Sequence, residues 1–135
     1  MGSRKRISSE HFKKVKKQEV SASLQGHFSS PRKMRLMVDL IRNMNVDRAL
    51  DVLKYSKKQV SNSLHDLLLS CLANWQLKNQ DKDIEEEGLY ISLITVGDGR
   101  TLKRLRPAPQ GRGHKVRKRF NHVRINITSR NVENY

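Results

Sequence analysis

Residues 100–124 read RTLKRLRPAPQGRGHKVRKRFNHVR, ten Lys or Arg in 25 residues with no Asp or Glu. No carboxylate within the stretch can neutralise that charge, so it calls for an external polyanion. It is preceded by LYISLITV at residues 89–96, and after it Val123, Ile125 and Ile127 alternate with Arg124, Asn126 and Thr128. Period-two alternation marks a strand with one buried face. Two strands joined by a basic middle make a hairpin. The centre, residues 106–113 (RPAPQGRG), carries two prolines and two glycines, which interrupt pairing and permit a turn. With roughly a dozen residues on each side at about 3.3 Å per residue, each arm would be on the order of 40 Å long. A compact body of 135 residues has a radius of gyration of only about 14 Å, so the hairpin must protrude. A lone two-stranded ribbon is marginal in water and this one repels itself. It is expected to be mobile when free and ordered by its partner.

The whole chain carries a net charge of +15 and a pI near 10.5, which points to nucleic acid ahead of an anionic membrane surface. Its placement is uneven: residues 1–80 are net +10, residues 81–99 net −5, and residues 100–135 net +10. With 36% hydrophobic residues there is room for one domain with a modest core. Cys71 is the sole cysteine, which excludes an internal disulfide and fits a reducing compartment. No apolar run reaches the roughly 18 residues of a membrane span, and the N-terminus lacks an apolar signal core. A cytoplasmic protein is expected.

Residues 1–19 hold seven Lys or Arg and read as a basic extension, disordered until bound. Residues 20–135 form the single domain, with the extended hairpin at about 97–122. Residues 20–28 (VSASLQGHF) alternate weakly, as a short strand. Ser30 and Pro31 then announce a helix, Ser as cap and Pro at the first helical position. Met34, Met37, Val38, Ile41 and Met44 form its apolar stripe. Arg32, Lys33 and Arg35 sit in the first turns, where cations oppose the helix dipole; that placement hints at phosphate contact. Asn45 caps a second helix. Ser56 caps a third, whose stripe of Val60, Leu64, Leu67, Leu68, Cys71, Leu72 and Trp75 makes it the core helix. Residues 81–87 (DKDIEEE) read as a solvated acidic loop, since they lack the glycine and ligand alternation of a calcium loop.

Catalytic chemistry is missing. His11, His27, His65, His114 and His122 do not pair at metal-ligand spacing with one another or with Cys71. No metal or other cofactor is expected. His114 and His122 lie in the basic arm and could imitate a ribonuclease acid/base pair, yet an exposed ribbon supplies neither fixed geometry nor shielding from water. They read better as imidazoles touching phosphate. Gly97 and Gly99 in GDG do not open a helix as a phosphate loop would, and read as a bulge in the strand.

Lys and Arg that neutralise phosphates release condensed counterions, so binding should weaken steeply with salt. Arginine's planar fork binds phosphate bidentately and stacks on bases, which suits folded, irregular RNA. Phe120 is the arm's only aromatic, too few for a single-strand reader that stacks bases along a sheet. The arm's candidate RNA contacts are Arg100, Lys103, Arg104, Arg106, Arg112, His114, Lys115, Arg117, Lys118, Arg119 and His122.

SPRKMRLMVDLIRNMNVDRALDVLKYSKK at residues 30–58, followed by a long helix and then TLKRLRPAPQGRGHKVRKRFNHVRINI at 101–127, closely resembles the bacterial L-twenty-two family of large ribosomal subunit proteins. The resemblance implies an α+β fold, three helices on a small antiparallel sheet with one long protruding hairpin. It also implies a non-enzymatic structural role: binding large-subunit RNA beside neighbouring ribosomal proteins, as one copy per ribosome, with the hairpin reaching the tunnel of the nascent polypeptide. By motif position the tunnel-lining tip would comprise Lys103, Arg104, Leu105, Arg106 and Pro107, and Lys115, Arg117, Lys118 and Arg119 would face RNA on the returning strand. Pro109 departs from the family pattern, where many relatives carry a basic residue. An architectural DNA-bending protein with a proline-tipped β-arm is the competing reading.

Overall fold

The computed structural model describes residues 3–80 and 82–129. The expected frayed end at 131–135 and Asp81 of the acidic stretch lie outside them. The chain folds as α+β. Its elements run α1 (Ser3–Gln18), β1 (Val20–His27), α2 (Pro31–Ile41), α3 (Val46–Tyr55), α4 (Gln59–Lys78), α5 (Ile84–Glu87), β2 (Leu89–Pro107) and β3 (Gly113–Ser129). The three strands pair antiparallel in the order β1-β3-β2. β3 is therefore the central strand, and it is the returning half of the hairpin.

One face of the sheet supplies Val20, Ala22, Leu89, Ile91, Ile94, Val123, Ile125 and Ile127 to the core. The apolar stripes of α2, α3 and α4 close over it: Met34, Met37, Ile41, Leu53, Leu64 and Leu68 are wholly buried. Burying side chains of this size stabilises by about 1.5–3 kcal/mol each, and this is what orders the body. Cys71 lies within this core with its Sγ 3.8 Å from the Ile125 carbonyl, and burial pushes its thiol up to about 11. The thiol stays protonated and serves as a small apolar filler.

Several local expectations are corrected. Residues 3–18 form a helix instead of a disordered arm. The segment has neither Gly nor Pro, and Arg6 and Glu10 form an i,i+4 ion pair at 3.5 Å. At its end, Lys78 Nζ donates to the Glu19 carbonyl at 2.6 Å, which ties the helix exit to α4. Ser30 and Asn45 occupy the N-cap positions of α2 and α3, but neither side chain makes a capping hydrogen bond. The third core helix begins at Gln59 with Lys58 as N-cap, not at Ser56. Ser61 Oγ donates instead to the Lys58 carbonyl at 2.6 Å and holds that turn. The acidic stretch contains the one-turn α5, where Lys82 Nζ lies 2.7 Å from Glu87 Oε1 and holds that carboxyl below its usual range.

Candidate nucleic-acid interface

The hairpin forms because β2 and β3 pair along their whole lengths, from Leu89↔Ser129 to Pro107↔Gly113. The register slips twice, between Ile91 and Leu93 and between Asp98 and Thr101. The second slip is the bulge that GDG predicts, and it marks where the sheet ends and the arm begins. Beyond it Thr101 to Pro107 pair with Arg119 to Gly113, so the free ladder is about 23 Å at 3.3 Å per residue. That is shorter than expected, because the inner half of β2 is spent in the sheet. The turn is also narrower than expected: Arg106 and Pro107 are still paired, and Ala108 N donates to the Arg112 carbonyl at 2.8 Å to close five residues. Gln110 and Gly111 make the reversal with φ of 63° and 68°.

Alternation then sorts the arm's side chains. Lys103, Leu105, Lys115, Arg117 and Arg119 share one face of the ladder; Leu102, Arg104, Arg106, His114, Val116 and Lys118 share the other. Both faces are thus cationic, each around an apolar ridge. Lys103 stands directly opposite Arg117, a like-charge pairing that destabilises a free ribbon. Residues 103–119 are exposed apart from half-buried Ala108, and among the described residues no ion pair joins positions 99–122 to a carboxylate. Arg112 stands at the turn, equally unneutralised.

The root of the arm is built differently. Asn121 is buried, and its Nδ2 donates to the Ser29 carbonyl at 3.0 Å and to Ser29 Oγ at 2.8 Å. Gly26, at a φ of 67° in the β1 bulge, donates its N–H to His122 Nδ1 at 3.0 Å. A Cβ on Gly99 would stand 3.1 Å from His122 Nε2 and from the Phe120 carbonyl, so a side chain here would have to push the bulge's neighbours aside by a few tenths of an ångström. Arg35 Nη2 reaches Asp98 Oδ1 at 2.9 Å and the Val96 carbonyl at 3.2 Å. Two residues expected to face RNA, Arg35 and His122, therefore brace the root, although both keep exposed surface. Arg35, in the second turn of α2, is thus tied to β2. Arg32 and Lys33 remain exposed on α2 without a described partner.

Arg100 sits over the Phe120 ring at 5.4 Å, and Phe120 packs against Phe28 with ring centroids 5.3 Å apart. Lys118 Nζ lies 6.0 Å from the Phe28 centroid. A crevice of about 660 Å³ opens here between α2, the start of α4 and β3, lined by Phe28, Lys33, Lys58, Arg117, Lys118 and Arg119 among others. Sequence reasoning overlooked Phe28 and Lys58. The available signal was an aromatic directly before SSPRK and a Lys57-Lys58 pair directly before a helix, neither distinctive until the fold brings them to the arm. No three or more His, Cys, Asp or Glu among the described residues are grouped as a metal site would require.

Residues 22–128 match the family model described as ribosomal protein L22p/L17e. A "Large ribosomal subunit protein uL22" of Christiangramia forsetii is 53% identical, over 97% of each chain. Its counterpart in Flavobacterium psychrophilum is 52% identical over 97% of this chain and 96% of the relative, and that of Porphyromonas gingivalis is 52% identical over 99% of each. The match takes in the core helices, the sheet and the entire arm, and on that ground the chain belongs to the ribosomal protein L22p/L17e family.

Proposed function

We propose that the chain is a structural, non-enzymatic constituent of the large ribosomal subunit, that it binds the subunit's RNA through the arm and neighbouring basic residues, and that residues 103–107 line the path of the nascent polypeptide. The observation that carries this reading is the arm itself, a ladder with cations on both faces and no described carboxylate to neutralise them. A ribbon charged on both faces suits insertion between two polyanionic walls. A surface-lying strand would need only one such face. Lys and Arg from both strands would replace counterions that otherwise keep RNA segments apart, so scaffolding is the mechanism. The place of action is the cytoplasmic ribosome, among neighbouring ribosomal proteins.

Co-sedimentation tests the proposal: the protein should remain with large subunits through a high-salt wash, and free protein should prefer large-subunit RNA to linear or bent DNA at equal salt. Equal affinity for bent DNA would favour an architectural DNA-binding role. Chemical cross-linking from residues 103–107 to a stalled nascent chain tests the tip, and cross-links to RNA alone would remove the tunnel-lining claim.

A further inference from the structure

We infer that the crevice at the root of the arm is a pocket for one unstacked nucleotide of the bound RNA, with Phe28 as the surface on which its base stacks. The inference rests on the RNA-binding reading and adds a specific contact to it. Phe28 is 58% exposed at the edge of the body, although a phenylalanine side chain gains from burial. Phe120 fixes its orientation from one side, at 5.3 Å between centroids and 59° between planes. Phe28 and Leu36, also exposed, give the crevice two apolar lining residues, and Lys118 Nζ, 6.0 Å from the Phe28 centroid, is the side chain that a base would displace from the ring. A space of about 660 Å³ falls in the range of pockets that hold small ligands.

Charge decides the occupant. Lys33, Lys58, Arg117, Lys118 and Arg119 contribute to the lining, and no Asp or Glu does. An aromatic face inside a ring of cations matches a nucleotide, base against ring and phosphate against ammonium or guanidinium; RNA is read mostly through such splayed-out bases. The cations also come from separate elements, Lys33 from α2, Lys58 from the α4 cap, and Arg117 to Arg119 from β3. A nucleotide seated there would join the arm to the helical body, beside the hydrogen bonds from Asn121 to Ser29, which itself lines the crevice.

The test uses the full chain and purified large-subunit ribosomal RNA, with affinity measured across a salt series. Stacking on one aromatic contributes about 1–3 kcal/mol per base, so Phe28→Leu should weaken binding by roughly 5- to 150-fold while leaving the salt slope and the melting temperature unchanged. Phe28→Tyr should bind within about twofold of the wild type, since the stacking face survives. Lys58→Gln, remote from the arm in sequence, should lower the salt slope by about 0.7–0.9, and ultraviolet cross-linking should join Phe28 to a nucleobase. Wild-type affinity in Phe28→Leu, or an unchanged slope in Lys58→Gln, overturns the pocket, as does a cross-link from Phe28 to another ribosomal protein in assembled subunits. Should Phe28→Leu melt early, the Lys58→Gln slope and the cross-link still decide the matter. Absence of salt-dependent RNA binding by the wild type would instead defeat the broader proposal.

Discussion

The body and the arm share two strands but obey opposite rules. Below the bulge, β2 and β3 place Ile91, Ile94, Val123 and Ile125 against three helices and are ordered by apolar burial. Above it the same strands carry Lys103, Arg104, Arg117 and Arg119 into solvent, with no buried apolar face beneath them. The difference teaches that strand pairing and strand stability are separate matters: one ladder runs through both regions, yet only one has a core beneath it.

Hydrogen exchange should expose the contrast most strongly. Body amides open only on global unfolding, which for small domains lies about 5–15 kcal/mol uphill, whereas arm amides need only local fraying. In the free protein the amides of Ile91 and Ile125 should exchange at least about a thousandfold more slowly than those of residues 102–106. Equal protection would mean that the arm is ordered without its partner. Leu68→Ala should come next, with a loss of about 2–5 kcal/mol in unfolding free energy by urea titration, because Leu68 is wholly buried in the core. The matching change in the arm, Arg117, Lys118 and Arg119 to Gln together, should leave that free energy unchanged. It should reduce the salt slope of RNA binding by about 0.7–0.9 for each phosphate that is no longer neutralised. A stability loss in this triple variant would show that the arm leans on the body. Smallest should be Asn121→Ala, which removes the two hydrogen bonds to Ser29 at the boundary between the regions and should cost about 1 kcal/mol; no measurable change in a urea titration would mean that the root is held by packing alone.

Much of this division is legible in the residue order. Charge without carboxylates identifies the arm, the RPAPQGRG punctuation locates its end, and apolar stripes with the correct spacing identify α2, α3 and α4. The GDG bulge follows from glycines in a strand. What is not legible depends on partners distant in sequence. Arg35 looks like a misplaced cation until Asp98 is brought to 2.9 Å, and His122 looks like an arm residue until Gly26 donates to it. The helix over Ser3–Gln18 is hidden by its charge, since its lysine doublets resemble a disordered tail even though each residue is a tolerable helix former. The cap of α4 falls at Lys58 instead of Ser56 because Ser61 secures the turn from inside the helix, where cap preferences do not apply.

The bulge at Gly99 also sets a phase. The extra residue there changes which members of β2 stand level with Arg117 and Arg119, giving Lys103 and Thr101 where an uninterrupted ladder would give Leu102 and Arg100. Closing the bulge without changing the length of the chain would set Leu102 opposite Arg117 and swing each outgoing side chain to the opposite wall, whereas deleting the extra residue would keep the present pairs. Total charge and composition of the arm would not differ at all in that slipped ladder, so it is the bulge, and not basicity, that assigns each outgoing cation to its side of the arm.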